Sequence, residues 1–222
     1  MSSVQVAAQA ADIALDFSSA VPGTISDKNG LGTGFTSVQP NKNNNQHDPS
    51  RIELKTADSI LIVTATQGSN ASANTLKNGL QVAIDATRPL TISARLRGPF
   101  SNLATAVQQG GIFLGSNQDN YVKLVIINLS SGIGGIGIQF FQEQNGVRSS
   151  VGGGSSAQVT GLDWSSIATL DLFLNGNPAT GTVTAAYRIN SDTLAPTPLS
   201  QQFKPNQRLP FLAMRRSLVL VF

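Results

Sequence analysis

The residue types that most often catalyse reactions are scarce in this chain. Histidine occurs once, as His47, in an asparagine-rich stretch beside Asp48 and Pro49. A Ser-His-Asp triad needs a firmly held base next to its nucleophile, whereas such a stretch predicts a solvated loop histidine. Cysteine is absent, which excludes disulfides, thiolate metal sites and cysteine nucleophiles.

The carboxylates do not form the pattern of a hydrolase. Glycoside hydrolases use two carboxylates at a fixed separation, and Glu53 and Glu143 are the only glutamates in the chain. Glu53 alternates with Arg51 and Lys55, so ion pairing across strands accounts for it. No strand carries a Glu-x-Asp-x-Glu cluster, although a pair of aspartates stays open as an alternative. We therefore expect no enzymatic activity.

The loop at residues 27–34 has the composition of an oxygen-ligand calcium site. Asp27 and Asn29 are separated by one residue, and glycines follow at positions 30, 32 and 34. Calcium loops use alternate Asp and Asn side chains with glycine at tight bends, so Asp27 and Asn29 are candidate Ca²⁺ ligands. The distal glutamate of an EF-hand is missing, and the glycines equally serve the positive φ angles of ordinary turns.

A second polar cluster, formed by Asn117, Asp119, Asn120 and Tyr121, joins two apolar stretches. Amide and carboxylate groups beside a tyrosine ring are typical of sites that contact sugars, and they are equally typical of hairpin turns. We take these four residues as the candidate carbohydrate-binding site at the rim of a sheet. Trp164, by contrast, is predicted to pack in the core.

Composition limits the classes of partner. Charged residues make up 12% of the chain, about half the usual quarter. Three of the basic residues, Arg208, Arg215 and Arg216, lie near the C-terminus, and the rest of the chain balances 12 basic against 12 acidic residues. A nucleic-acid binder needs clustered Lys and Arg, so none is expected. Because no apolar run reaches about 18 residues, we expect no membrane span.

Alternation of apolar and polar residues with a period of two predicts an all-β chain. In the clearest case, residues 90–97, Leu90, Ile92, Ala94 and Leu96 share one face. Further strands are predicted over residues 13–17, 51–55, 59–66, 79–84, 111–115, 121–128, 135–144, 167–174 and 182–189. Only residues 101–109 have the composition of a helical turn.

One domain is predicted over residues 12–204, after a flexible segment at residues 1–11. Residues 205–222 differ in character, because they are dense in leucine, arginine and phenylalanine and contain no Asn-Gly turn. Two interpretations of this segment stay open. It is either the closing strand of the domain or, through a frameshift or truncation, foreign to the domain.

Three segments have patterns found in one known family. Residues 109–124 combine glycines, an apolar strand, an Asp-Asn-Tyr turn and a second apolar strand, and residues 15–35 and 161–174 have similar patterns. Together they resemble the concanavalin A-like, LamG-type jelly rolls over about residues 12–203. This resemblance implies an antiparallel two-sheet β-sandwich with loops at one rim. Many members bind carbohydrate, some bind calcium, and they are often modules of secreted or surface proteins of bacteria, cyanobacteria included.

The same resemblance gives the functional expectation. The carboxylate cluster of the family's hydrolase branch and the metal constellation of legume lectins are both missing. We therefore expect a non-catalytic carbohydrate-binding or adhesion module, joined to other domains of a larger extracellular or cell-surface protein. The second hypothesis is an inert spacer domain. The third is a degenerate glycoside hydrolase with two carboxylates about 5 to 9.5 Å apart across a groove.

Overall fold

The computed structural model describes residues 13–69, 73–129, 135–150, 157–202 and 218–221. Within these ranges the chain is all-β, as the sequence predicts, and its strands pair in antiparallel fashion. The helices found there are three short 3₁₀ turns at Pro49–Arg51, Thr56–Asp58 and Phe100–Asn102. A helix long and apolar enough to cross a membrane is not present among these residues.

The strands of the described ranges are numbered in chain order. They are β1 (Ser37–Val38), β2 (Ile52–Lys55), β3 (Ile60–Val63), β4 (Leu80–Val82), β5 (Leu90–Arg97), β6 (Gln109–Asn117), β7 (Asn120–Asn128), β8 (Ile136–Gln144), β9 (Val147–Ser150), β10 (Ala157–Val159), β11 (Thr169–Asn177), β12 (Thr182–Ile189), β13 (Thr197–Gln202) and β14 (Leu218–Val221). The large sheet has the order β1-β4-β14-β6-β7-β8-β10, with β9 also paired to β8. A four-stranded sheet has the order β13-β12-β11-β5, and β2 and β3 form a separate hairpin.

The two larger sheets share one apolar core. Because side chains alternate between the faces of a strand, each sheet directs every second residue into this core. The buried side chains that pack in it include Leu80, Ile92, Leu96, Ile112, Leu114, Val122, Leu124, Ile126, Ile138, Phe140, Leu170, Leu172, Leu174 and Val183. Burial of one such side chain stabilises the fold by about 1.5–3 kcal/mol. A core shared by two sheets is the layer packing of a β-sandwich.

Most of the predicted strands are present in the structure. β5 and β12 have the predicted bounds, and β7 and β8 differ from the prediction by one residue at one end. The strand predicted over residues 13–17 is wrong, because no strand forms there. The Asp16 carboxylate accepts the N–H of Ser18 at 3.0 Å and closes a turn, and Phe17 takes a φ of 58° and stacks on Phe35.

The C-terminal strand β14 lies inside the large sheet. Leu218 pairs with Val82 of β4 on one side and with Leu114 of β6 on the other. The closing-strand and foreign-segment interpretations of residues 205–222 both stay predictions. The predicted flexible segment at residues 1–11 and the rest of the tail, residues 205–217, lie outside the described residues.

The large sheet is also buried on the face that points away from the shared core. Lys123 on β7 is 3% exposed there, and Glu143 on β8 is fully buried. The Lys123 ammonium donates to Gln109 Oε1 at 2.8 Å and lies 5.0 Å from the centre of the Phe141 ring. Burial lowers the pKa of Lys123 to about 7, and the attraction of Glu143 offsets only part of this effect.

Stability is therefore expected to rise with pH from about 7.5 to about 9.5. In this window an unfolded lysine, with a pKa near 10.4, still holds the proton that buried Lys123 has released. The gain is at most about 1.4 kcal/mol per pH unit. The raised pKa of buried Tyr121 acts in the opposite sense only above about pH 10, where unfolded tyrosine ionises. Urea unfolding across this window measures the free energy of unfolding directly.

Two lysine variants test whether Lys123 causes this rise of stability with pH. Lys123→Met should remove most of the rise with pH, because the group that gives up its proton on folding is gone. Lys42→Met alters an exposed lysine and should leave the rise unchanged. A profile for the unaltered chain that is flat across the window would contradict the burial of a neutral lysine.

Candidate functional site

The candidate carbohydrate-binding residues lie at the tight turn between β6 and β7. Asn117 ends β6, Asn120 begins β7, and the two pair across the turn. Asn117 Oδ1 accepts the backbone N–H of Asp119 at 3.0 Å and the side-chain amide of Asn120 at 3.1 Å. The asparagine thus closes the hairpin in the way that short polar side chains close turns.

Two further loops meet this turn. Asn74 Nδ2 donates to Asp119 Oδ1 at 2.7 Å. The backbone N–H of Asn145, in the turn between β8 and β9, donates to Asn120 Oδ1 at 3.0 Å. We call the group of Asn74, Asn117, Asp119, Asn120 and Asn145 the amide rim. The structure therefore joins three of the four predicted residues to two asparagines that the sequence analysis missed.

Several polar atoms of the amide rim have no hydrogen-bond partner within the described part of the chain. They are Asn117 Nδ2, on an exposed residue, and Asp119 Oδ2, on a half-buried one. Asn74 Oδ1 is buried and also lacks a partner there, which costs about 1–3 kcal/mol for a buried polar atom. The amide rim consequently offers both donors and acceptors to a polar ligand.

Tyr121 does not take part in the exposed rim. Its side chain is fully buried in a small apolar cluster with Leu76 and Phe113, and its ring stacks on Phe141. The hydroxyl donates to Glu143 Oε2 at 3.1 Å, and burial together with the negative charge of Glu143 raises the pKa of Tyr121. The expectation that this ring faces a sugar is wrong, because strand alternation turns it under the loop that carries Leu76.

Asp27 holds its loop together through three backbone N–H groups. Its Oδ1 accepts from Asn29 at 2.8 Å and from Leu31 at 2.9 Å, and its Oδ2 accepts from Leu54 of β2 at 2.9 Å. Burial acts to raise the pKa of Asp27, but these three bonds outweigh it, and the pKa lies below its usual range. The carboxylate therefore stays ionised and links the loop to the edge of β2.

This arrangement does not fit a calcium site. Calcium requires several oxygen lone pairs directed at one point, whereas three N–H dipoles direct their positive ends at the oxygens of Asp27. Among the residues that the structure describes, no group of three His, Cys, Asp or Glu side chains is placed to hold a metal ion. Calcium at Asp27 and Asn29 stays a prediction that this geometry does not favour.

The other residues singled out in the sequence, His47, Trp164 and Glu53, do not belong to the amide rim. His47 is exposed on its loop. Trp164 is 7% exposed, packs edge-to-face on Phe100 and donates its indole N–H to Ile136 O at 2.7 Å. The core position predicted for Trp164 is confirmed. Glu53 pairs with Lys28 at 2.9 Å, so its partner is a loop lysine rather than a strand neighbour.

The carboxylate of Asp171 on β11 is paired with two arginines. The Arg95 guanidinium donates to both of its oxygens, at 2.7 and 2.9 Å, and the Arg188 guanidinium donates twice to Oδ2, at 2.9 and 2.7 Å. Burial acts to raise the pKa of Asp171, but the two arginines together hold it below its usual range. A carboxylate that stays ionised and fully paired does not serve as a proton donor in catalysis.

Comparisons with known proteins do not assign the chain to a family. No family model matches the sequence, and no curated protein matches it. A solved structure, a mutant of the GH43 protein BlXynB from Bacillus licheniformis, is similar with 13% sequence identity and a TM-score of 0.39. The similarity covers 64% of this chain but only 28% of that one. A likeness at this level carries no argument about fold or function.

Replacement of Asp27 by alanine should destabilise the fold by about 2–4 kcal/mol, because three backbone N–H groups lose their acceptor. Asn29→Ala alters the other predicted calcium ligand and should cost less than about 1 kcal/mol. Both values should be the same in calcium and in EDTA, as measured by urea unfolding. A calcium-dependent gain in stability that both substitutions abolish would instead establish the metal site.

Proposed function

We propose that this chain is a non-catalytic carbohydrate-binding module that recognises its ligand at the amide rim. Three of its residues were predicted from the sequence, and the fold adds Asn74 and Asn145 to them. The observation that carries the proposal is that, among the described residues, Asn117 Nδ2 and Asp119 Oδ2 have no hydrogen-bond partner once the turn has closed.

The chemistry of the amide rim favours an uncharged, hydroxyl-rich glycan. Asparagine supplies an acceptor and two donors, and an ionised aspartate supplies acceptors only. Asp119 is the single charged side chain of the five. Since Tyr121 is buried, the rim has no aromatic ring for stacking, and recognition rests on hydrogen bonds. Each of these contributes about 0.5–1.5 kcal/mol net, so we expect modest affinity for one glycan unit.

A binding role is supported by the environment of the carboxylates. Glycoside hydrolysis needs one carboxyl group with a raised pKa that donates a proton. Asp171 is held ionised between two arginines, and Glu143 is fully buried beneath the face of the large sheet. These positions favour recognition without chemistry.

The architecture supports the finer proposal of a concanavalin A-like jelly roll. Two antiparallel sheets share one core, and the amide rim gathers loops from three parts of the chain at one end of the large sheet. The sparsely charged surface suits a module of a larger extracellular or cell-surface protein. Location outside the cell and attachment to further domains belong to this proposal and rest on the same resemblance.

A glycan array of the purified chain tests the proposal, with and without calcium. We expect binding to a related set of neutral glycans in both conditions. The double substitution Asn117→Ala and Asp119→Ala should weaken this binding by about tenfold or more, because at least two hydrogen bonds worth about 1.4 kcal/mol together are lost.

Asn177→Ala is the matched control. Asn177 closes the β11–β12 turn by accepting the N–H of Ala179 at 3.0 Å, as Asn117 accepts that of Asp119. Binding by this variant should stay within about twofold of the unaltered chain. Absence of binding by a sample with a cooperative melting transition would contradict the proposal and support the inert spacer. Equal loss in Asn177→Ala would show that the amide rim is not the site.

A further inference from the structure

A cleft among the described residues lies at a different place from the amide rim. It is a cleft of about 780 Å³ between β3, β5 and residues 13–17, within the 300–1,000 Å³ range of ligand sites. Its floor is apolar and consists of core side chains such as Phe35, Val82, Leu96 and Ile126. We call it the open-edge cleft, because a strand edge lies along each side.

The first edge belongs to β5. Gly98 N–H donates to Ala168 O at 2.8 Å, and this bond fixes which β5 residues hydrogen-bond to β11. In an antiparallel pair, hydrogen-bonded and non-hydrogen-bonded residue pairs alternate, so Leu96, Ala94 and Ile92 exchange bonds with β11. The N–H and C=O groups of the alternate residues point away from β11. The edge that faces the cleft is therefore made by the backbones of Ser93, Arg95 and Arg97.

The second edge belongs to β3. Thr64 N–H donates to Arg51 O at 2.8 Å, and by the same alternation Leu61 and Val63 direct their backbone groups away from β2. Both residues line the open-edge cleft. Within the ranges that the structure describes, neither the β3 edge nor the β5 edge has a strand partner on its cleft side.

At the outer edge of β2, by contrast, the backbone groups are hydrogen-bonded by residues of a neighbouring loop. Ile52 and Leu54 direct their backbone groups outward from the β2–β3 hairpin. Lys28 N–H donates to Ile52 O at 2.9 Å, and the Asp27 carboxylate accepts the Leu54 N–H. The chain thus satisfies one side of this hairpin with dedicated contacts. The opposite side, on β3, faces the cleft, and no described residue makes a comparable contact with its backbone groups.

We propose that the open-edge cleft binds an extended segment of a partner polypeptide as an additional β-strand. Residues 93–97 offer an edge of roughly 16 Å at about 3.3 Å per residue, close to the length of a typical strand. A strand seated there hydrogen-bonds to β5 and to β3 together, as in recognition by strand addition.

The side chains around the open-edge cleft define the partner. Residues of the added strand that point inward lie beside Ala94 and Leu96 and meet the apolar floor, so they are apolar. Residues that point outward lie beside Arg95 and Arg97. Arg95 is engaged by Asp171 and Asp192, whereas Arg97 is exposed and has no acidic partner in the described ranges. The partner segment therefore alternates β-branched residues with polar ones, and an acidic residue pairs with Arg97.

A fluorescein-labelled heptapeptide, Thr-Val-Glu-Val-Thr-Val-Glu, is the probe, and fluorescence polarisation measures its binding to the full chain. We expect saturable binding. Ser93→Pro removes one edge N–H without touching the bonds to β11 and should weaken binding by about tenfold. Thr91→Pro is the matched control, since it removes an N–H of the same edge outside the cleft and should change binding by less than about twofold.

Further measurements test the role of the Arg97 charge and the identity of the polypeptide that occupies the cleft. Arg97→Gln should weaken binding of the glutamate peptide by about two- to fivefold but leave a glutamine version of the peptide unaffected. No saturable binding, or equal effects of Ser93→Pro and Thr91→Pro, would overturn the proposal. Self-association of the chain that Ser93→Pro abolishes would assign the cleft to a second copy and overturn the assignment to a different partner. Neither result bears on glycan binding at the amide rim.

Discussion

The backbone hydrogen bonds at strand edges are the constraint on which this structure depends. An all-β chain with two separate sheets and a hairpin has several edges, and each buried N–H and C=O there needs a partner. The chain meets this need with side chains. Asp27 serves the edge of β2, and Asn190 Oδ1 accepts the N–H groups of both Ala168 and Thr169, where β11 begins. At the cleft-facing edges of β3 and β5, no described residue supplies such a side chain, and this is the place where we propose that a partner strand binds.

The same need for hydrogen-bond partners explains why the chain has few charged residues and many amide side chains. Amide side chains replace charges because they imitate the backbone, with one acceptor and two donors. Asn78 shows this directly, since its Oδ1 accepts the Asp48 N–H at 2.8 Å and its Nδ2 donates to Asp48 O at 2.9 Å. Asn41 likewise holds its loop through the N–H groups of Asn43 and Asn45. In both cases the amide takes the place of a backbone partner that the loop lacks.

The sequence predicted the strands whose inward residues are large and alternate, such as β5 and β12, because periodicity there reflects burial directly. It missed β9, although Asn145 and Gly146 between two polar stretches form the Asn-Gly signal of a tight hairpin. It also misplaced Tyr121, because whether a loop covers the outer face of a sheet depends on contacts with residues far away in sequence, here Leu76. The open-edge cleft was beyond sequence reasoning for the same reason, since residues 13–17, β3 and β5 are separated along the chain.

The position of Lys123 shows that a shifted pKa alone does not identify a catalytic residue. A pKa near 7 is what a general base needs at neutral pH, and taken alone it would mark Lys123 as catalytic. A base must also reach the proton that it removes. The ammonium of Lys123 instead lies between Gln109 and the rings of Tyr121 and Phe141, on a residue that is 3% exposed. Its perturbed pKa is a consequence of burial within the sheet and does not by itself identify a catalytic site.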